Sequence, residues 1–224
     1  MDRYIRNKLL INNNQQMALG ESRIAIVGCG GLGGAAASNL VRLGVKNLIL
    51  IDGDSFHASN LNRQRYAFED TLGQPKTDAT AKELLRIDKT LQVEPRAAWM
   101  EADNAVALLS GASLVLDCLD NIPTRLILED ACCEAGLPLV HAALGDWYGQ
   151  VGVVLPGQNL LHKLYGSLEP GDQSGVSALS PIVEAVAALQ SLAAAGFLLQ
   201  SDGTNIGSIR YYDFKAHQNY LLTF

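Results

Sequence analysis

Short apolar runs bounded by glycine or aspartate alternate with segments of helical spacing over the first two thirds of this chain. This alternation is typical of βαβ units, in which a crossover helix joins two parallel strands. It therefore predicts an α/β fold, a mostly parallel sheet with helices on both faces. The predicted strands are 23–28, 47–52, 92–97, 114–117 and 139–143, and the predicted helices are 32–43, 76–87, 124–135 and 182–199.

The pattern changes after residue 146. The stretches "WYGQVGVVLP" and "SIRYYDFKAHQNYLLTF" are typical of β-strands, and the second is predicted to form a hairpin around Lys215 and Ala216. We expect these strands to extend the sheet in the antiparallel direction. Residues 156–181 are rich in glycine, proline and serine without a strong period, which predicts a long loop. Helix 182–199 is apolar nearly all round, which favours a central or interface helix.

Size and charge exclude several classes of protein. The chain has 224 residues, 48% of them hydrophobic, which is enough for one sizeable core. The formal net charge of −6 disfavours nucleic acid and anionic membranes as partners, so any phosphate must be bound locally. No window approaches the roughly 20 apolar residues of a membrane helix, and the N-terminus lacks the apolar region of a signal peptide. We expect a cytoplasmic protein with no nucleic-acid and no membrane partner.

The cysteines and histidines form no recognisable reactive or metal-binding motif. The cysteines contain no CxxC pair and are too few for a disulfide framework, so we expect each to be a small buried hydrophobe. They are Cys29, Cys118, Cys132 and Cys133. The histidines are scattered, and we expect each to be structural or on the surface. They are His57, His141, His162 and His217.

A glycine motif separates the first predicted strand from the first predicted helix. Gly28, Gly30 and Gly33 satisfy G-x-G-x-x-G, Gly31 lies inside the motif, and Asp52 ends the next strand. Glycines permit a tight turn and let backbone N–H groups approach a phosphate at a helix N-terminus, while the acid binds ribose hydroxyls. The motif predicts a Rossmann-like nucleotide site, most often for NAD, although glycine turns also occur for purely structural reasons.

A polar segment follows Asp52, where a dehydrogenase usually continues into its next helix. This segment, "SFHASNLNRQRYAFEDTLGQPKTDAT", presents Asn60, Arg63, Gln64 and Lys76 close to a strand end. The planar fork of arginine and the point charge of lysine suit a triphosphate better than a nicotinamide. The alternative is a solvated loop with ordinary surface charge.

Two acids lie at the end of the fourth predicted strand, in "VLDCLDNIPTR". Open α/β sheets bind their ligands at the carboxyl ends of parallel strands, so Asp117 or Asp120 could hold Mg²⁺ that bridges phosphate oxygens. The alternative is a helix cap, with Asp120 or Asn121 at the N-terminus of the next helix and Pro123 in its first turn. The local sequence favours neither alternative.

These motifs together resemble the ThiF/MoeB/HesA family, relatives of the ubiquitin-activating enzymes. The resemblance rests on "GCGGLG", "IDGD" with "SNLNRQ", "GQPKTDA" and "DCLDN" followed by "TR", in this order and spacing. "RYIRNKLL" is similar to the segment that precedes the family's glycine loop, and "GVSALSPIVEAVAALQSLAAAGFLL" to its closing helix. The resemblance implies a single adenylation domain over 1–224, with an N-terminal helical segment (1–20), a nucleotide-binding βαβ core (21–145) and a closing part (146–224).

The resemblance implies a reaction as well. An ATP-dependent adenylyltransferase of this family activates the C-terminal glycine carboxylate of a small ubiquitin-like sulfur-carrier protein as an acyl-adenylate and releases pyrophosphate. Matched motif by motif, Asp52 would bind the ribose, Asn60, Arg63 and Lys76 would contact phosphates, and Asp120 would hold Mg²⁺. No side-chain nucleophile is needed, because the carboxylate attacks.

Arg6 in "RYIR" matches the family position that reaches across a dimer interface to the neighbouring subunit's triphosphate, so the resemblance implies a homodimer. The implied catalytic residues are Arg6, Arg63, Lys76 and Asp120. The implied nucleotide-binding residues are Gly28, Gly30, Gly31, Gly33, Asp52, Asp54, Asn60, Arg63, Gln64, Lys76 and Asn121.

The chain departs from the family pattern in its cysteines. Many members carry two CxxC pairs that bind a structural Zn²⁺, and this sequence has none, so we expect a short form without zinc. No cysteine lies in the 156–181 loop to accept the acyl group, so we expect a separate sulfur donor protein. The alternatives are a catalytically silent scaffold, adenylation of a peptide or small-molecule carboxylate, a tRNA-modifying relative and an NAD-linked dehydrogenase. The dehydrogenase leaves Arg63, Lys76 and Asp120 without a role.

Overall fold

An eight-stranded mixed sheet forms the centre of the computed structural model, which describes residues 3–166, 177–201, 204 and 206–224. The strands follow the order β3-β2-β1-β4-β5-β6-β7-β8. The first five in this order are parallel and the last three antiparallel. The strands are β1 (Arg23–Val27), β2 (Asn47–Ile51), β3 (Gln92–Arg96), β4 (Leu114–Asp117), β5 (Leu139–Gly145), β6 (Tyr148–Val154), β7 (Ser208–Asp213) and β8 (Gln218–Thr223).

Helices cover both faces of this sheet and divide the core in two. One buried cluster lies between the sheet and α1, α2, α3 and α7, and the other between the sheet and α4, α5 and α6. The helices are α1 (Asn13–Glu21), α2 (Gly31–Leu43), α3 (Lys76–Ile87), α4 (Ala105–Leu108), α5 (Ile122–Ala135), α6 (Leu160–Tyr165) and α7 (Ser180–Leu198), with 3₁₀ turns at Ala58–Asn60 and Glu69–Thr71. The predicted fold class is therefore confirmed.

The predicted loop at 156–181 is wrong in part, because α6 folds within it. Leu160 and Leu161 are buried in the core, and the carboxylate of Glu129 accepts hydrogen bonds from the backbone N–H groups of Leu161 (2.8 Å) and His162 (2.9 Å). A tertiary contact thus caps a helix too short to show a sequence period. Residues 167–176 of the predicted loop lie outside the described residues. The hairpin around Lys215 and Ala216 is confirmed, and the N-terminal segment consists of turns followed by α1.

The expectation that no stretch of the sequence approaches the length and hydropathy of a membrane span is wrong for helix α7. Among the described residues it is the one helix long and apolar enough to cross a membrane by length and composition, with a mean hydropathy of 1.6. Core helices meet the same criterion, and α7 packs against α2, β5 and β6. Its buried Gln190 donates hydrogen bonds to the carbonyl oxygens of Asp117 (2.8 Å) and Val140 (2.9 Å). These contacts agree with the predicted central helix.

Candidate active site

The glycine loop lies where the order of the parallel strands changes direction, between β1 and β4. Gly28 follows β1 with φ of +94°, and a Cβ there would lie 2.6 Å from the carbonyl oxygen of Cys118. A Cβ on Gly33, in the first turn of α2, would overlap the carbonyl oxygen of Gly28. Only glycine fits either position, so α2 begins directly against the loop. Such a switch point is where doubly wound sheets bind their ligands.

Replacing Gly33 by alanine is expected to destabilise the protein by about 1–3 kcal/mol, the usual cost of forcing a methyl group into a filled space. Urea unfolding monitored by circular dichroism measures this difference. Gly20→Ala is the matched control, because a Cβ there meets its nearest atom at 3.7 Å and alanine favours the helix. Equal stability of the two variants would contradict this reading of the loop.

Asp52 lies beside the glycine loop, at the carboxyl end of β2. Its Oδ2 accepts the backbone N–H of Cys29 (2.7 Å), and its Oδ1 accepts the backbone N–H of Asp54 (2.8 Å). Burial raises the pKa of Asp52, although these two hydrogen bonds oppose the rise. The carboxylate is therefore held in one orientation next to the loop, as its predicted role at the ribose requires.

Lys76 and Asp54 form an ion pair next to Asp52. The Nζ of Lys76 lies 2.6 Å from Oδ2 of Asp54, and only 9% of the lysine side chain is exposed. Burial opposes ionisation of Asp54, but the hydrogen bonds from Lys76 and from the backbone N–H of Ser55, together with the positive charge of Lys76, lower the pKa of that carboxyl. His57 adds a second contact, 3.3 Å from Oδ1 of Asp54. A nearly buried cation is thus fixed at the first residue of α3.

The segment from His57 to Gln64 contributes a buried amide to the site. Asn60 is buried and accepts the backbone N–H of His57 (3.0 Å). Gln64 is also buried, its amide packs against Gly30, and its Oε1 has no hydrogen-bond partner among the described residues. An unpaired buried amide oxygen beside a glycine loop is a group that a hydrogen-bond donor of a bound ligand would satisfy.

The charged group of Arg63 does not contact the glycine loop. Its guanidinium donates to the carbonyl oxygen of Ser59 (2.9 Å) and to Oδ1 of Asn62 (2.9 Å) rather than to the glycine loop. Its backbone carbonyl, however, lies close to Gly31. The structure therefore brings the main chain of Arg63 to the loop and leaves its charged group on the neighbouring turn.

The two acids at the carboxyl end of β4 have different environments. Asp117 is fully buried, whereas Asp120 is exposed at the carboxyl end of the strand. Asn121 is the N-cap of α5, with its Oδ1 accepting the backbone N–H of Thr124 (3.0 Å), and its amide nitrogen lies 3.3 Å from Oδ1 of Asp120. The cap alternative is thus confirmed for Asn121, which leaves Asp120 as the acid open to a metal.

The described part of the chain holds no cluster of three His, Cys, Asp or Glu side chains suited to a metal. Mg²⁺ commonly binds through one or two carboxylates together with substrate phosphates and water. Asp120 alone is consistent with that mode, because its exposed carboxylate stands at the same strand edge as the glycine loop.

A buried polar network around Asp117 was not anticipated from the sequence. Oδ2 of Asp117 contacts Nδ1 of His141 (2.6 Å) and Nη1 of Arg125 (3.2 Å). Burial works against ionisation of Asp117, but the positive charge of Arg125 and the bond to His141 lower its pKa. Asp117 is therefore engaged inside the protein and is not the metal ligand. The sequence carries no local signal for this network, because only the parallel register of β4 and β5 pairs Asp117 with His141.

Arg6 is the one predicted site residue that lies far from the others within the chain. It is exposed, one turn after Arg3 and Tyr4. Arg3 lies 2.7 Å from Oδ2 of Asp88, and Tyr4 packs under Nζ of Lys46. Lys46 precedes β2, so this anchor is at the amino edge of the parallel strands, whereas the glycine loop is at the carboxyl edge. Five-residue strands separate the two edges by about 17 Å.

The cysteines are buried except for Cys133, so the expectation of four buried cysteines is wrong at that position. Cys133 lies in the last turn of α5, on its exposed side. Burial raises the pKa of Cys29 and Cys118 and raises that of Cys132 to about 12. These three thiols stay protonated at neutral pH, as inert core residues do.

Fold and site together define a Rossmann-like nucleotide-binding protein. A glycine loop at the switch point, a carboxylate after the second strand and a nearly buried lysine beside it form one continuous surface. A model of the ThiF family matches residues 2–222. The chain belongs to the ThiF family and is a nucleotidyltransferase.

Curated relatives agree with this assignment, and solved structures share the fold. The chain is 32% identical to the SAMP-activating enzyme E1 of Haloferax volcanii, over 95% of this chain and 81% of that protein. It is 35% identical to the molybdopterin-synthase adenylyltransferase of Escherichia coli, over 97% of this chain and 90% of that protein. The structure of the microcin C7 biosynthetic enzyme MccB with N-formylated MccA has the same fold, with a TM-score of 0.89 at 20% identity, over 99% of this chain and 72% of that one.

Proposed function

We propose that this enzyme uses ATP and Mg²⁺ to adenylate the C-terminal glycine carboxylate of a small ubiquitin-like sulfur-carrier protein. The observation that carries the proposal is the arrangement of Asp52, Lys76 and Asp120 around the glycine loop. Relatives of similar length, covered over most of both chains, are named as an adenylyltransferase and a SAMP-activating enzyme. These names support a protein substrate of the same kind.

The residues present fit a bound nucleoside triphosphate. Glycine at positions 28 and 33 lets the main chain turn tightly into α2, and the N-terminus of such a helix is where backbone N–H groups bind phosphate oxygens. The unpaired Oε1 of Gln64, buried beside this loop, is an acceptor that a hydroxyl or amino group of the nucleotide would satisfy. Asp52 is oriented by two backbone N–H groups and retains acceptor capacity for ribose hydroxyls.

In the proposed reaction, an oxygen of the carrier's carboxylate forms a bond to the α-phosphorus of ATP. The bond from that phosphorus to the β-bridging oxygen breaks, and its electron pair leaves with pyrophosphate. Lys76 has three N–H donors and uses one on Asp54, so two remain for phosphate oxygens. Asp120 would hold Mg²⁺, which neutralises phosphate charge. Positioning and charge neutralisation are the main requirements of such a transfer.

We propose further that the active unit is a homodimer in which Arg6 serves the neighbouring subunit. The support is the anchoring of Arg3 and Tyr4 at the amino edge of the sheet, about 17 Å from the glycine loop of the same chain. Arg6 of one subunit therefore needs a second copy to meet a triphosphate. A separate protein would supply the sulfur, because three of the four thiols are buried and the fourth, Cys133, lies on α5 away from the loop.

Exchange of radiolabelled pyrophosphate into ATP tests the proposal. The assay contains Mg²⁺ and, one at a time, each small ubiquitin-like protein encoded in the same genome. We expect exchange with one carrier only, and loss of exchange when the terminal glycine of that carrier is deleted.

Three other results of these assays would favour a different substrate or a different function. Exchange with short peptides or small carboxylic acids, but with no carrier, would replace the carrier by a different carboxylate substrate. ATP binding without exchange would favour a silent scaffold. Absence of ATP binding in calorimetry would overturn adenylation altogether.

A further inference from the structure

Tyr165, the last residue of α6, contacts the buried network behind the strand ends. Its hydroxyl lies 3.1 Å from Nε2 of His141, and the two rings meet edge to face with centroids 5.7 Å apart. The side-chain nitrogen of Gln150 lies 3.2 Å from the same Nε2 and also contacts the Tyr165 hydroxyl. His141 is fully buried, and among the described residues these two groups are the donors that lie near its Nε2.

The protonation states of Asp117, His141 and Tyr165 determine which group donates the hydrogen in each of these contacts. Burial lowers the pKa of His141, which leaves the imidazole neutral at pH 7. Because Asp117 is ionised, His141 donates through Nδ1 to Oδ2 of Asp117 (2.6 Å) and accepts at Nε2. Burial raises the pKa of Tyr165 to about 12, so its hydroxyl keeps the proton that it donates.

Asp117 and Arg125 in turn hold the residue immediately before Asp120. Oδ1 of Asp117 accepts the backbone N–H of Leu119 (3.0 Å), and Arg125 donates to the carbonyl oxygen of Leu119. Arg125 also donates to Oδ2 of Asp117 (3.2 Å) and to the carbonyl oxygen of Ala142 (2.8 Å). Both backbone groups of Leu119 are thus fixed by side chains that His141 touches directly.

Helix α6 is itself firmly attached at its other end. Glu129 of α5 accepts the backbone N–H groups of Leu161 and His162, and the side chains of Leu160 and Leu161 are buried. A continuous path of hydrogen bonds therefore runs from a helix in the C-terminal half of the chain, through Tyr165, His141 and Asp117, to the turn that carries Asp120.

We propose that Tyr165 and His141 are positioning residues, which orient the Asp120 turn and thereby set the affinity of the site for its metal. The proposal rests on the proposed function of Asp120. Partners that orient a metal-ligating carboxylate contribute to metal affinity although they never touch the metal. Because Tyr165 belongs to α6, the same contact ties the position of that helix to the metal side of the site.

Calorimetric titration of the full-length protein with ATP, with Mg²⁺ and with EDTA, tests the proposal. In Tyr165→Phe we expect the gain in ATP affinity that Mg²⁺ provides to fall by about tenfold, the lower end of the effect of such partners, and the affinity in EDTA to stay unchanged. His141→Asn keeps a donor toward Asp117 but loses the contact with Tyr165, and we expect the same loss. Tyr165→Phe combined with His141→Asn should lose no more than either alone, because both act through one path. Tyr212→Phe is the matched control, since Tyr212 stacks on Phe214 outside the network.

Hydrogen exchange of the Leu119 amide provides a second readout that needs no ligand. Exchange should be faster in Tyr165→Phe and His141→Asn than in the parent, and unchanged in Tyr212→Phe. Additive losses in the double variant, or an unchanged Leu119 amide in both single variants, would overturn the positioning role. If the parent protein fails to bind ATP, the proposed function fails, and the Leu119 amide still decides whether the path exists.

Discussion

Asp120→Ala is expected to lower the rate of pyrophosphate exchange by about 10²–10³-fold, the size of effect seen when one group that stabilises transition-state charge is removed. Asp120 is the exposed acid at the carboxyl end of β4, while its neighbour Asp117 is occupied by Arg125 and His141. No other described carboxylate lies in the turn between β4 and α5. The variant should bind ATP in EDTA as the parent does and gain little affinity from added Mg²⁺.

The stability of this variant should stay close to that of the parent. Asp120 is exposed, and substitutions at such positions usually change the free energy of unfolding by less than about 0.5 kcal/mol. Asp130→Ala is the matched control, because Asp130 is an exposed acid on α5 that pairs with His162 (2.8 Å). Parent-like exchange by Asp120→Ala at limiting Mg²⁺ would show that the metal is held elsewhere.

Arg6→Ala is expected to reduce exchange by a similar factor, about 10²–10³-fold, since a guanidinium at a triphosphate neutralises charge that develops during the transfer. The oligomeric state, measured by light scattering, should not change if the residue acts only at the phosphates. Arg86→Ala serves as the control, because Arg86 is an exposed arginine paired with Glu83 on α3.

Mixing the two inactive variants tests whether Arg6 acts across an interface. Random exchange of subunits makes half of the dimers mixed, and each mixed dimer has one site with both Arg6 and Asp120. Activity of an equal mixture of Arg6→Ala and Asp120→Ala should therefore recover to about a quarter of the parent value. A mixture that stays inactive after verified subunit exchange would show that Arg6 acts within one subunit or has no role at the phosphates.

The fold followed from patterns that are local in the sequence. Apolar runs between glycine and aspartate predicted the parallel strands, and residues 76–87 and 114–117 form a helix and a strand with the predicted bounds. The short helix Leu160–Tyr165 was missed because its first turn is stabilised by Glu129, 32 residues earlier in the chain. A contact of that range leaves no period in the local sequence.

One part of the candidate site was also predictable from the sequence, and another part was not. The glycines at 28 and 33 and the acid at 52 were predictable from the sequence alone, because a steric requirement for glycine and an acid after the second strand are properties of single positions. The tertiary structure decided which acid at the carboxyl end of β4 is open, since only the register of β4 and β5 brings Asp117 to His141. It also put Arg6 at the opposite edge from the glycine loop, through Arg3 and Asp88. Spacing along a chain encodes local geometry, whereas the partner of a buried charge depends on how distant strands and helices align.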